Sequence, residues 1–141
     1  MASLNIEPKS PKTQLGLSYL VEYTGCEKAL VSNQTLIKKI LIRATEIAGA
    51  SFAHEFFQTN LSGVTGIVFA NDTHFTIHTS PDLNYVGIEI FTSHPDLKIQ
   101  QSIDYLGEGL KAKQVSWQKH HRGPNSQLHP FRESHSVSRD H

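Results

Sequence analysis

Residues 65–95 read TGIVFANDTHFTIHTSPDLNYVGIEIFTSHP, and this stretch decides the fold. Two runs rich in Val, Ile, Phe and Thr flank Asn71-Asp72-Thr73, with apolar and polar residues alternating at the two-residue period of a half-buried β-strand. Asn and Asp tolerate the backbone bends of a tight turn, so the junction predicts a hairpin. Alternation also sorts the side chains: Phe75, Ile77 and Thr79 point one way, and His74, Thr76 and His78 the other. Farther on, Val86, Ile88 and Ile90 form an apolar row, leaving Tyr85, Gly87, Glu89 and Phe91 on the other face. A hydroxyl residue that follows an acidic one at such a junction can attack its own preceding carbonyl. Thr73 follows Asp72 in that manner.

Working outward, residues 15–24, 50–57, 64–71, 74–79, 84–92 and 113–119 read as strands. Ser32 is placed to cap a helix whose Leu36, Ile37, Ile40, Leu41, Ala44 and Ile47 fall at helical spacing, with Gly49 as its stop. Asp96 can start a second helix carrying Ile99, Ile103, Leu106 and Leu110. The order β-α-β-β-β-β-α-β predicts an α+β fold: a two-layer α/β sandwich, an antiparallel-rich sheet with two helices on one face. The other face must be covered or functional, and a partner subunit is a natural cover. Residues 1–14 read as a flexible leader, 15–119 as the domain, and 120–141 as a polar, disordered tail holding five of the nine histidines.

The chain has 141 residues with thirteen basic and thirteen acidic side chains, so it offers no basic stripe for nucleic acid. No apolar run is long enough for a membrane span, and the start lacks a signal-peptide apolar region. The single Cys26 has no internal partner for a disulfide, which suits a reducing cytoplasm. His74 and His78 share a strand face but sit about 13 Å apart at ~3.3 Å per residue, too far to chelate one ion, so no metal is expected. The face they occupy gathers imidazoles, carboxylates, hydroxyls and aromatics, with Glu22 and either His54 or Glu55 added from earlier strands. That composition fits a binding site, and equally an ordinary half-wet sheet face.

Taken in order, GLSYLVEYTGCEKAL, the helix ending in AGAS, GVTGIVFANDTHFTIHTSPDLNYVGIEIFTSHPD and KAKQVSW…RG carry a resemblance. Over about residues 16–123 the chain resembles the prokaryotic short form of S-adenosylmethionine decarboxylase, a pyruvoyl enzyme of polyamine biosynthesis. The resemblance implies a proenzyme that cuts itself. A serine hydroxyl attacks the preceding carbonyl, and β-elimination from the resulting ester leaves a pyruvoyl terminus. That ketone captures the substrate amine and acts as electron sink for loss of CO₂. It also implies paired subunits with sites near their interface.

Carried over by position, His78 matches the processing histidine and Thr65 replaces the helper serine. The Glu-Ser cleavage pair is Asp72-Thr73, and the proton-donating cysteine is Ser93. Two aromatics that help hold the adenine are replaced by Thr59 and Ser80. Phe56, Glu22 and Glu89 complete the expected substrate-binding set. Threonine would yield a bulkier 2-oxobutanoyl group, or the ester would hydrolyse to a free N-terminal threonine. A serine hydroxyl has no pKa near operating pH, whereas a cysteine thiol ionises at about 8.5. Each lost aromatic removes a stacking contact of ~1–3 kcal/mol.

These departures predict weakened or lost self-cleavage and decarboxylation. The chain would then act as a ligand-binding or partner subunit, as a homodimer or paired with an active paralogue. No cofactor would be bound. The alternative is a working self-processing ketoacyl decarboxylase of S-adenosylmethionine or a small amino acid. It would be cut between Asp72 and Thr73 and would carry a covalent ketoacyl group from Thr73.

Overall fold

The computed structural model describes residues 15–124, 128 and 134–138. Seven strands form one sheet in the order β2-β3-β4-β5-β1-β6-β7. They are β1 (Gly16–Thr24), β2 (His54–Asn60), β3 (Gly63–Ala70), β4 (Thr73–Ser80), β5 (Tyr85–Thr92), β6 (Gln114–Arg122) and β7 (Ser134–Ser138), and every pairing is antiparallel. Three helices accompany them: α1 (Lys28–Val31), α2 (Gln34–Ala48) and α3 (Ile99–Gly109). The architecture is the expected α+β two-layer sandwich.

The layers meet through the alternation read from the sequence. Val21, Tyr23, Phe75, Ile77, Ile88 and Ile90 are fully buried on one sheet face, against Ile37 and Leu41 of α2 and Ile103 and Leu106 of α3. Each such side chain stabilises the fold by about 1.5–3 kcal/mol relative to exposure. Two polar contacts fix the helices at long sequence range. The Tyr23 hydroxyl donates to the Ile103 carbonyl at 2.8 Å, and the Ser102 hydroxyl donates to the Ala44 carbonyl.

Several boundaries differ from expectation. The side chain of Asn33, rather than Ser32, caps α2 by accepting from the Leu36 N–H. Ser32 instead donates to the Lys28 carbonyl and closes α1, a one-turn helix too short to show a periodic stripe. Gly49 ends α2 at φ 97°, the left-handed conformation that glycine adopts without strain. Helix α3 begins at Ile99, not at Asp96, and β2 begins at His54, not at residue 50.

The last expected strand does not stop at 119. It runs to Arg122, and Ser134–Ser138, within the stretch expected to be a disordered tail, pairs with it from Gln114 to Gln118. Backbone ladder bonds make that edge strand and need no apolar pattern. The expected leader, residues 1–14, lies outside the described residues.

Among the described residues no helix covers the second sheet face. Leu20 and Phe69 are exposed there, as is Phe56 at 63%. A cleft of about 460 Å³ lies over His74, Glu89, Phe91 and Arg122 on the same face. His74 is stacked on Phe91 with ring centroids 5.6 Å apart.

Candidate functional site

Hairpin register builds the site at the β3–β4 junction. Ala70 pairs with Thr73, which leaves Asn71 and Asp72 as the two turn residues, with Asn71 at φ 60°. Asn is among the few non-glycine residues that adopt this conformation readily. Thr73 therefore opens β4 in phase with Phe75 and Ile77 and points into the covered core face, where it is 1% exposed. Its hydroxyl lies 2.7 Å from that of Thr92, the last residue of β5, which is also buried.

The chain after β5 turns back over this junction. The His94 backbone N–H donates to the Thr92 hydroxyl at 3.0 Å. The Ser93 hydroxyl donates to the Asp72 carboxylate at 3.1 Å, and the His94 Nε2 sits 3.4 Å from the same oxygen. The Asp72–Thr73 peptide bond is thus flanked by a carboxylate contact on one side and a buried hydroxyl pair on the other.

A second polar group lies on the open face. Strand register aligns Thr65, His78, Gly87 and Glu22 in one row across four strands. His78 Nδ1 is 3.5 Å from the Thr65 hydroxyl, at the outer limit of a hydrogen bond. Gly87 leaves a gap in the row that the Tyr85 hydroxyl fills, since a Cβ at Gly87 would meet that oxygen. Burial, then the hydrogen bond to Glu22, push the Tyr85 hydroxyl up to about 12.

The structure therefore divides the expected site residues. Asp72, Thr73 and Ser93 meet at the turn. Thr65, His78, Glu22, Glu89, Phe56 and Ser80 belong to the open side of the sheet. His78 lies five residues along β4 from Thr73, roughly 16 Å at strand rise, and on the opposite face. Thr59 does not join Ser80. It pairs with buried Val64, and its hydroxyl meets Gln34 of α2 on the helix side. His54 takes the open-face position, while Glu55 turns to Lys38 of α2 at 3.5 Å.

Sequence reasoning missed Thr92 and His94. Both belong to the IFTSHP segment already singled out, but only the β4–β5 register brings them to the turn. Among the described residues no group of three or more His, Cys, Asp or Glu side chains could hold a metal ion.

With this geometry in view, the comparisons are specific. The sequence profile described as S-adenosylmethionine decarboxylase matches residues 17–123. The chain is 34% identical over 110 residues to an S-adenosylmethionine decarboxylase proenzyme of Caldicellulosiruptor saccharolyticus, spanning 77% of this chain and 89% of that one. A proenzyme of the same name from Thermotoga petrophila is 34% identical over 110 residues, covering 77% and 85%. The crystal structure of the adenosylmethionine decarboxylase from Aquifex aeolicus superposes with a TM-score of 0.71 at 24% identity, over 83% of this chain and 98% of that one. That last likeness concerns the fold alone. This chain belongs to the S-adenosylmethionine decarboxylase family.

Proposed function

We propose that the chain is a self-processing proenzyme. In this reading the Thr73 hydroxyl attacks the Asp72 carbonyl and the mature protein decarboxylates S-adenosylmethionine or a smaller amino acid. The observation that carries this reading is the placement of Asp72-Thr73 at a two-residue hairpin turn, with the nucleophilic hydroxyl buried and held by Thr92. Its relatives, named as proenzymes of S-adenosylmethionine decarboxylase, support the same choice.

The residues present suit such a cut. Attack requires an oriented hydroxyl, and the 2.7 Å contact restricts the rotation of the Thr73 side chain about χ1. β-Elimination of the Asp72 carboxylate from the ester, then hydrolysis of the resulting imine with loss of ammonia, would leave a ketoacyl group at residue 73, which supplies an electron sink for loss of CO₂ from an amino acid. Thr73 would carry that group with one methyl more than serine would give. Ser93, beside Asp72, occupies the position of the expected proton donor without a thiol's acidity. The family places the activity in polyamine biosynthesis. Buried, free Cys26 suits a reducing, cytoplasmic setting, and no helix among the described residues is long and apolar enough to cross a membrane.

Intact-mass analysis of freshly purified protein tests the reading. Two fragments are expected, the first ending at Asp72 and the second beginning at a blocked residue 73. A chain that remains whole after prolonged incubation would sink it.

The second reading is lapsed processing with a partner-subunit role. It is supported by the distance of His78 from Thr73 and by the exposed apolar residues Leu20, Phe56 and Phe69 on the uncovered sheet face, which suit a second copy or a paralogue.

A further inference from the structure

His94 touches both sides of the Asp72–Thr73 junction. Its imidazole Nε2 lies 3.4 Å from Asp72 Oδ2, on the residue whose carbonyl would be attacked. Its backbone N–H donates at 3.0 Å to the Thr92 hydroxyl, which in turn lies 2.7 Å from the Thr73 hydroxyl.

The imidazoles on β4 do not share this position. His74 follows Thr73 directly, yet points to the opposite face and stacks on Phe91. His78 is paired with Thr65 on that same open face.

We propose that His94 is a positioning residue for self-cleavage, holding the Asp72 side chain through its imidazole and the Thr92 hydroxyl through its backbone. This inference rests on the self-processing reading. The step it serves is balanced internally. The Thr73 oxygen bonds to the Asp72 carbonyl carbon, the carbon–nitrogen bond breaks, and the hydroxyl proton passes to the freed Thr73 nitrogen. This shift needs no outside reactant, and the cut that follows, β-elimination of the Asp72 carboxylate with hydrolysis of the imine, takes up one water and releases ammonia.

A turn that must present its carbonyl to the following side chain gains from being fixed at both ends, because misorientation costs rate directly. The contact between His94 and Asp72 is half-exposed, so it contributes little to folding stability. Its effect on cleavage and its effect on stability are therefore separable.

The experiment follows the fraction of cut chain with time for the wild type, His94→Leu and His94→Gln, alongside their melting curves. His94→Leu is expected to slow cleavage about tenfold, as loss of one orienting side-chain contact does, with an unchanged melting curve. His94→Gln, which keeps a side-chain donor, should recover much of the rate. Cleavage by His94→Leu within about twofold of its parent overturns the inference and leaves the self-processing reading standing. Should the wild type stay whole, the same pair of variants is read in a Thr73→Ser background. An intact wild type already ends the self-processing reading, and if that background also stays whole the role of His94 falls with it.

Discussion

The hydroxyls of Thr73 and Thr92 lie 2.7 Å apart on the covered side of the sheet, neither in contact with bulk water. Thr92 is the partner that makes burial of the Thr73 hydroxyl tolerable, since a buried hydroxyl without one costs about 1–3 kcal/mol, while the Thr92 hydroxyl also accepts from the His94 N–H.

Thr92→Val keeps the side-chain shape and removes the partner. It should lower unfolding free energy by about 1–3 kcal/mol, seen as a shifted urea midpoint with an unchanged slope. Thr73→Val combined with Thr92→Val should cost less than the sum of the two single changes. Strict additivity would show that the pair does not interact.

Replacing the nucleophile separates chemistry from geometry. Thr73→Val should leave the chain whole. Thr73→Ser should cut roughly tenfold faster than the wild type, because one methyl fewer relieves about 1 kcal/mol of crowding in a packed site. Adding Ser93→Cys should then raise decarboxylation, assayed as released CO₂ per cut chain. Equal cleavage by the wild type and the Thr73→Ser variant would show that the methyl is not what limits the reaction.

Gly66 lies under the ring of Phe57 across the β2–β3 pair, and a Cβ there would overlap the ring. Phe57 belongs to the core, so the ring cannot swing freely into water. Gly66→Ala should therefore destabilise the protein by about 1–3 kcal/mol, and Phe57→Leu in the same chain should restore part of the loss. Denaturant unfolding of the wild type and the two variants decides it.

Burial raises the Cys26 thiol from 9.0 to about 11. The folded chain holds its proton in a range where the unfolded chain has released it. The associated stability is complete below pH 9 and is lost as pH climbs to about 11. The stability advantage of the wild type over Cys26→Ala should accordingly shrink by about 2–3 kcal/mol across that window. A gap that stays constant from about pH 8 upward would show that the thiol is not shielded.

Much of the fold was legible because period-two alternation is a local signal. Phe75, Ile77, Val86, Ile88 and Ile90 each announced their face, and the structure buries all five. Strand β7 was not legible: SHSVS has no apolar face, Val137 is exposed, and its pairing with β6 is a backbone matter. Helix α1 was missed because four residues cannot display a helical period.

The site was only half readable. The turn drew attention to Asp72 and Thr73, and the family resemblance to Thr65 and His78, but strand parity puts Thr73 and His78 on opposite faces. Thr92 and His94 reach the turn through a pairing nineteen to twenty-two residues distant, which no local pattern encodes.

Strand β4 is gripped on both flanks, by six residue pairs with β3 and seven with β5. A break in the chain just before it would therefore leave the newly made end seated in the middle of an intact sheet. The severed halves should migrate together on a sizing column and part only in denaturant, so a nicked molecule would pass for a whole one in any native assay.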